Sequence, residues 1–181
     1  MEFNEILKHV DHTQLKAFAT WEDIETLCDE AEKFHTASVC VPPCYIRRIN
    51  EAYENELNIC TVIGFPLGYE VTPAKIKEAE EAVADGASEI DMVININEVK
   101  NGNIDYVRDE IARIRKVCSG RILKVIIETC YLSREEKIAM CHAVTDAGAD
   151  YIKTSTGFGT AGAVMEDIEI KKKYIGSGVK I

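Results

Sequence analysis

The sequence predicts an α/β fold, a TIM (β/α)8-type barrel that stops after about seven strands, on three observations. Short apolar, β-rich runs recur at 9–13, 37–41, 59–65, 89–96, 122–129, 150–155 and 178–181. The segments between them are long enough for a helix each. The runs are also nearly continuous in apolar residues rather than alternating, as expected of parallel strands covered on both faces by right-handed βαβ crossovers. Seven strands with six helix-sized connections favour a barrel. A doubly wound open sheet fits the same pattern, but no GxGxxG follows the first run.

Each element has its own signal. The first strand, HVDHT, is followed by Thr20 with Asp23, which reads as a helix N-terminus. ASVCV and ICTVIGF read as the second and third strands, and Thr72 followed by Pro73 marks the start of the next helix. Gly86 in ADGASEI and Gly148 in DAGADYI stand where a helix must end in a left-handed residue before the next strand. EIDMVINI and ILKVIIET are the fourth and fifth strands. Ser133 and Glu136 of SREE make a capping box, and DYIKTS and GVKI complete the set.

Composition narrows the function classes. With 181 residues, 46% hydrophobic and 29% charged, the chain is expected to form one soluble domain with a core of its own. A formal charge of −10 opposes binding to nucleic acid or to an anionic membrane, so an anionic substrate needs a local positive site. The first ten residues lack the features of a signal peptide and no run is long enough to span a bilayer, so the expected location is cytoplasmic. The seven cysteines include no CxxC pair and no histidine at zinc-ligand spacing. They read as reduced thiols, mostly in the core, and no metal site is expected.

The informative residues are the charges that interrupt buried strands, because an unpaired charge in a core is too unfavourable to be casual. Asp11 lies in the first strand, Asp91 in the fourth, Lys124 and Glu128 in the fifth and Lys153 in the sixth. Residues two apart share a face, so Lys124, Ile126 and Glu128 are expected to point one way. Each charge alone fits a register-fixing ion pair. Five on converging strands, with a Thr/Ser/Gly turn after Lys153, favour a site at the C-terminal mouth of the sheet. A lysine there can be a point charge for phosphate, or an amine that attacks a carbonyl and forms a Schiff base.

The blocks DHTQLK, ASVCVPP, TVIGFPLG, EIDMVINI, LKVIIET and GADYIKTSTGF, in this order, resemble the deoxyribose-phosphate aldolase family over nearly the whole chain. The resemblance implies a class I, Schiff-base aldolase that reversibly cleaves 2-deoxy-D-ribose 5-phosphate to acetaldehyde and D-glyceraldehyde 3-phosphate without metal or other cofactor. It implies Lys153 as the Schiff-base lysine and Asp91 as the carboxylate that manages protons with a second lysine. Lys124 is implied beside the site, Cys40 as lining the pocket, Asp11 and Thr13 near the substrate, and Thr156 and Gly157 as the start of a phosphate-binding turn. The partners implied are a small-molecule sugar phosphate and further copies of the chain in a homo-oligomer. A different phosphate-handling barrel, such as an isomerase, accounts less well for Lys153 and Asp91 together.

A typical barrel of this type has about 250 residues. Residues 1–181 are therefore expected to form a single domain without the last helices and eighth strand, and Lys180 is a weaker candidate for the second lysine. The alternative function is a catalytically impaired barrel fragment that self-associates through an open sheet edge.

Overall fold

The computed structural model describes residues 3–181 and contains two compact units, Met1–Val62 with Glu81–Ile90 and Ile63–Glu80 with Asp91–Ile181. In chain order the elements are α1 (Phe3–Leu7), β1 (Asp11–Thr13), α2 (Trp21–Phe34), β2 (Ser38–Val41), α3 (Ile46–Ala52), β3 (Ile59–Ile63), α4 (Thr72–Ala84), β4 (Glu89–Val93), α5 (Ile96–Lys100), α6 (Ile104–Val117), β5 (Ile122–Ile126), α7 (Arg134–Asp146), β6 (Tyr151–Lys153) and α8 (Met165–Tyr174). Single 3-10 turns follow β2 and β5. The six strands form one sheet in the order β1 to β6, and the α/β alternation read from the sequence is present.

In the first unit, β1, β2 and β3 pair in parallel with Thr13 opposite Cys40 and Cys40 opposite Cys60. The sheet residues Val39, Val41 and Cys60 and the helix residues Ile24, Cys28, Ile46 and Ile49 are all 0–1% exposed and make its core. On α2 the buried residues Ile24, Leu27, Cys28 and Ala31 recur every three or four positions, the stripe that an amphipathic helix turns inward. Thr20 caps α2 in a reciprocal box with Asp23, as its sequence predicts. The helix ends through His35 at φ 54, a left-handed position filled without glycine. Gly86 has φ +106, and a Cβ there would lie 2.0 Å from Nδ2 of Asn50, so both backbone and space demand glycine.

In the second unit, β5 and β6 pair in parallel with Lys124 opposite Tyr151 and Ile126 opposite Lys153. The amide of Ile94, just past β4, donates to Ile126 O. Val125, Ile127 and Ile152 are 0% exposed, as are Val107, Ile111 and Ile114 of α6 and Met140 and Val144 of α7. Ser133 and Glu136 form the predicted capping box of α7, and Gly148 takes φ +75 after it.

Two expectations need correction. The run at 178–181 forms no extended strand: Val179 N donates to Gly176 O in a turn, and Lys180 alone pairs beside β6, in a single parallel bridge with Tyr151. The fifth strand ends at Ile126, because Glu128 adopts φ 47 and ψ 67 and breaks the alternation that was to carry it onto the face of Lys124. No helix among the described residues is long and apolar enough to cross a membrane.

Candidate active site

Asp91, Lys124 and Lys153 stand on β4, β5 and β6 of the second unit, and the structure brings all three together. The register puts Lys124 two residues behind Lys153 on the same face, one pleat away and within reach of a lysine side chain. Lys153 Nζ donates to Asp91 Oδ2, and Lys124 Nζ lies 3.6 Å from Asp91 Oδ1. One carboxylate therefore faces two ammonium groups, each through a different oxygen.

Burial separates their roles. The side chains of Asp91 and Lys124 are 1% and 5% exposed, whereas that of Lys153 is 31% exposed. Ile152 and Val125, on the opposite faces of their strands, are wholly buried and fix the orientation of both strands. The arrangement offers one amine that can reach an incoming molecule, held by a buried group able to accept and return a proton. A second cation compensates the carboxylate when the first is neutral.

The chain beyond Lys153 turns at Gly157, φ +86. Thr156 donates both its amide, at 3.2 Å, and its hydroxyl to Glu128 Oε2, while its Oγ1 accepts the amide of Phe158 at 3.0 Å. A cavity of about 430 Å³ opens beside this turn, lined among others by Thr156, Phe158, Gly159, Glu128, Tyr131 and Lys100. Lys100 is held there by Tyr131 O at 2.8 Å and Glu136 at 2.7 Å.

The remaining candidates divide between the units. In the first, Asp11, Thr13 and Cys40 lie together: Asp11 Oδ1 accepts the Ser38 hydroxyl at 2.8 Å, Thr13 Oγ1 donates to Asp11 O at 2.7 Å, and Cys40 sits opposite Thr13. In the second, Lys180 Nζ lies over the Tyr151 ring, 5.3 Å from its centre, while Lys124 Nζ lies 3.6 Å from Asp91 Oδ1. Glu128 is one of the five interrupting charges that pointed to a site, and the one of them to which the sequence assigned no role. Its signal was the carboxylate itself, two residues beyond an apolar strand. Burial pushes the thiols of Cys28, Cys118 and Cys141 up, to about 12, 11 and 11, which makes them inert core groups.

A parallel α/β scaffold with a reachable lysine on a buried carboxylate holds the groups that a lyase acting on a carbonyl through an imine would use. The chain belongs to the DeoC/LacD family of aldolases, whose profile it matches over residues 6–177. It is 64% identical over 177 residues to the deoxyribose-phosphate aldolase of Clostridium botulinum strain Alaska E43, covering 98% of this chain and 80% of that relative. The deoxyribose-phosphate aldolase of Clostridioides difficile strain 630 is 55% identical over 176 residues, with 97% and 80% covered. Among solved structures, the tetrameric deoxyribose phosphate aldolase of Aeropyrum pernix superposes with a TM-score of 0.89 at 28% identity, covering 97% of this chain and 75% of that one.

Proposed function

We propose that this chain is a class I aldolase that reversibly cleaves 2-deoxy-D-ribose 5-phosphate to acetaldehyde and D-glyceraldehyde 3-phosphate. The observation that carries it is the half-exposed Lys153 amine seated on buried Asp91. Lys153 in its neutral form attacks C1 of the open-chain sugar to give a carbinolamine, which loses water to a protonated imine. Removal of the proton from the C3 hydroxyl then breaks the C2–C3 bond, and the electron pair moves into the imine to form an enamine. Protonation at C2 and hydrolysis release acetaldehyde and restore the amine. Asp91 exchanges protons at Lys153 Nζ and at the carbinolamine oxygen, and Lys124 stands 3.6 Å from its other oxygen as a second cation. The turn at Thr156 and Gly157 takes the phosphate. The imine is the electron sink, so no metal is required by this route.

The same reading takes the strand order and the intervening helices as part of a TIM (β/α)8-type barrel, and it places the enzyme in the cytoplasm. The tetrameric relative supports a homo-oligomer. The test is incubation with acetaldehyde and borohydride followed by peptide mapping, alongside an assay of deoxyribose 5-phosphate cleavage. The adduct is expected on the peptide containing Lys153; an adduct on Lys124 or Lys180 overturns the assignment. Asp91→Asn removes the proton acceptor while keeping the shape, and is expected to lower kcat about 10²-fold with an unchanged circular dichroism spectrum. A variant with wild-type kcat excludes Asp91 from proton transfer.

A further inference from the structure

Glu128 combines three features that the reaction does not by itself require. Its backbone is left-handed at φ 47, a conformation unfavourable for a residue with a long side chain. It is 1% exposed, which places a carboxylate inside the protein. One of its oxygens accepts both the amide and the hydroxyl of Thr156. Strain of this kind persists only where the surroundings over-determine it, and it concentrates at functional sites.

The surroundings do over-determine it. Thr129, the next residue, donates its amide to Thr154 O at 2.9 Å, tying the two segments together at a second point. The Thr129 hydroxyl donates to Asp167 Oδ2 at 2.8 Å, and Asp167 is itself held by Lys137 at 2.6 Å. On the other side, a Cβ at Gly159 would lie 3.0 Å from the Glu128 carboxyl carbon and 2.9 Å from Cys130 Sγ, so the chain at 159 closes directly onto the carboxylate. Thr156 is fully committed: its hydroxyl proton goes to Glu128, and its oxygen accepts the Phe158 amide at 3.0 Å.

We propose that Glu128 is a positioning residue that fixes the 154–159 turn for the phosphate of the substrate, and that its carboxylate limits how tightly that phosphate is held. The inference rests on the assignment of the turn to phosphate given above. The strained backbone brings the carboxylate under Thr156, and the two hydrogen bonds hold the start of the turn that follows. The same carboxylate repels an anion bound at that turn, so position and charge act in opposite senses on binding.

Two variants separate these effects. Glu128→Asn tolerates the left-handed backbone but is too short to reach Thr156. It is expected to raise KM for deoxyribose 5-phosphate about tenfold, since two hydrogen bonds to a charged group are lost, while leaving KM for unphosphorylated deoxyribose unchanged. Glu128→Gln keeps an acceptor oxygen in place and removes the charge, and is expected to lower KM for the phosphorylated sugar only. Trapping of acetaldehyde by borohydride should proceed at the wild-type rate in both, since Lys153 is untouched. Equal loss on both sugars, loss of trapping, or a Gln variant that behaves like the Asn variant would overturn the proposal. The wild-type control keeps the failures apart: a wild type that does not cleave deoxyribose 5-phosphate defeats the functional assignment, whereas one that cleaves it with indifferent Glu128 variants defeats this inference alone.

Discussion

Lys153→Met is expected to yield a folded protein that forms no imine and cleaves deoxyribose 5-phosphate at least about 10⁴-fold more slowly than the wild type. The loss is large because the proposed mechanism makes the amine the covalent partner of the substrate, and a residue that carries the bond cannot be replaced in part. The fold is expected to survive for a reason visible in the geometry. Asp91 is 1% exposed and would be left as a buried charge, but Lys124 lies 3.6 Å from its other oxygen. Lys153 is the most exposed member of the trio, so a side chain of similar length meets solvent rather than the core. Lys153→Arg makes the argument sharper. It retains the cation against Asp91, yet a guanidinium stays protonated and cannot attack a carbonyl. Both variants should fail to gain mass with acetaldehyde and borohydride, and both should melt within a few degrees of the wild type. Turnover by the Arg variant within about tenfold of wild type would show that charge, not nucleophilicity, is what Lys153 supplies.

The trio was legible in the sequence because strand chemistry makes it so. A strand buried on both faces leaves almost no room for a charge, so Asp91, Lys124 and Lys153 announced themselves by interrupting EIDMV, ILKVI and YIK. The caps at Thr20 and Ser133 were legible for a similar reason, each being satisfied by residues within three positions. Glu128 was legible as a charge but not in its position, since that depends on a left-handed backbone that no local pattern demands of glutamate. The length of a seventh strand was not legible, because GVKI has strand composition throughout, whereas the turn from Gly176 to Val179 leaves only Lys180 to pair with β6. Least legible was Lys75, in the helix TPAKIKEAEEAVA, where charges at nearly every turn look like an ordinary solvated face.

Lys75 is in fact wholly buried, and its removal is expected to have the largest effect on stability. Its Nζ lies 2.9 Å from Glu110 Oε2 and donates to Val93 O at 2.9 Å; both side chains are 0% exposed. Glu110 also accepts the Thr72 hydroxyl at 2.9 Å, which is why Thr72, read from sequence as a helix boundary, opens α4 but turns its side chain inward. The network ties α4 and α6 to the end of β4, the strand that carries Asp91. Burial holds the Lys75 ammonium below the ordinary lysine range, against the opposing pull of Glu110, so desolvation outweighs the attraction within the pair. Such a pair adds little compared with apolar residues of the same size, but breaking it strands a charge. Lys75→Met is therefore expected to destabilise by about 3–5 kcal/mol, whereas Lys75→Met with Glu110→Met should recover most of that loss. The pH dependence carries a matching sign. Lys75 binds its proton less readily folded than unfolded, so its contribution to stability rises with pH between its folded value and the ordinary value of 10.5, and the double variant loses that rise. Denaturant melts of the three proteins at two pH values provide the measurement. A single variant within about 1 kcal/mol of wild type would mean that water reaches Glu110 and that the network is not the tie between α4 and the active-site strand.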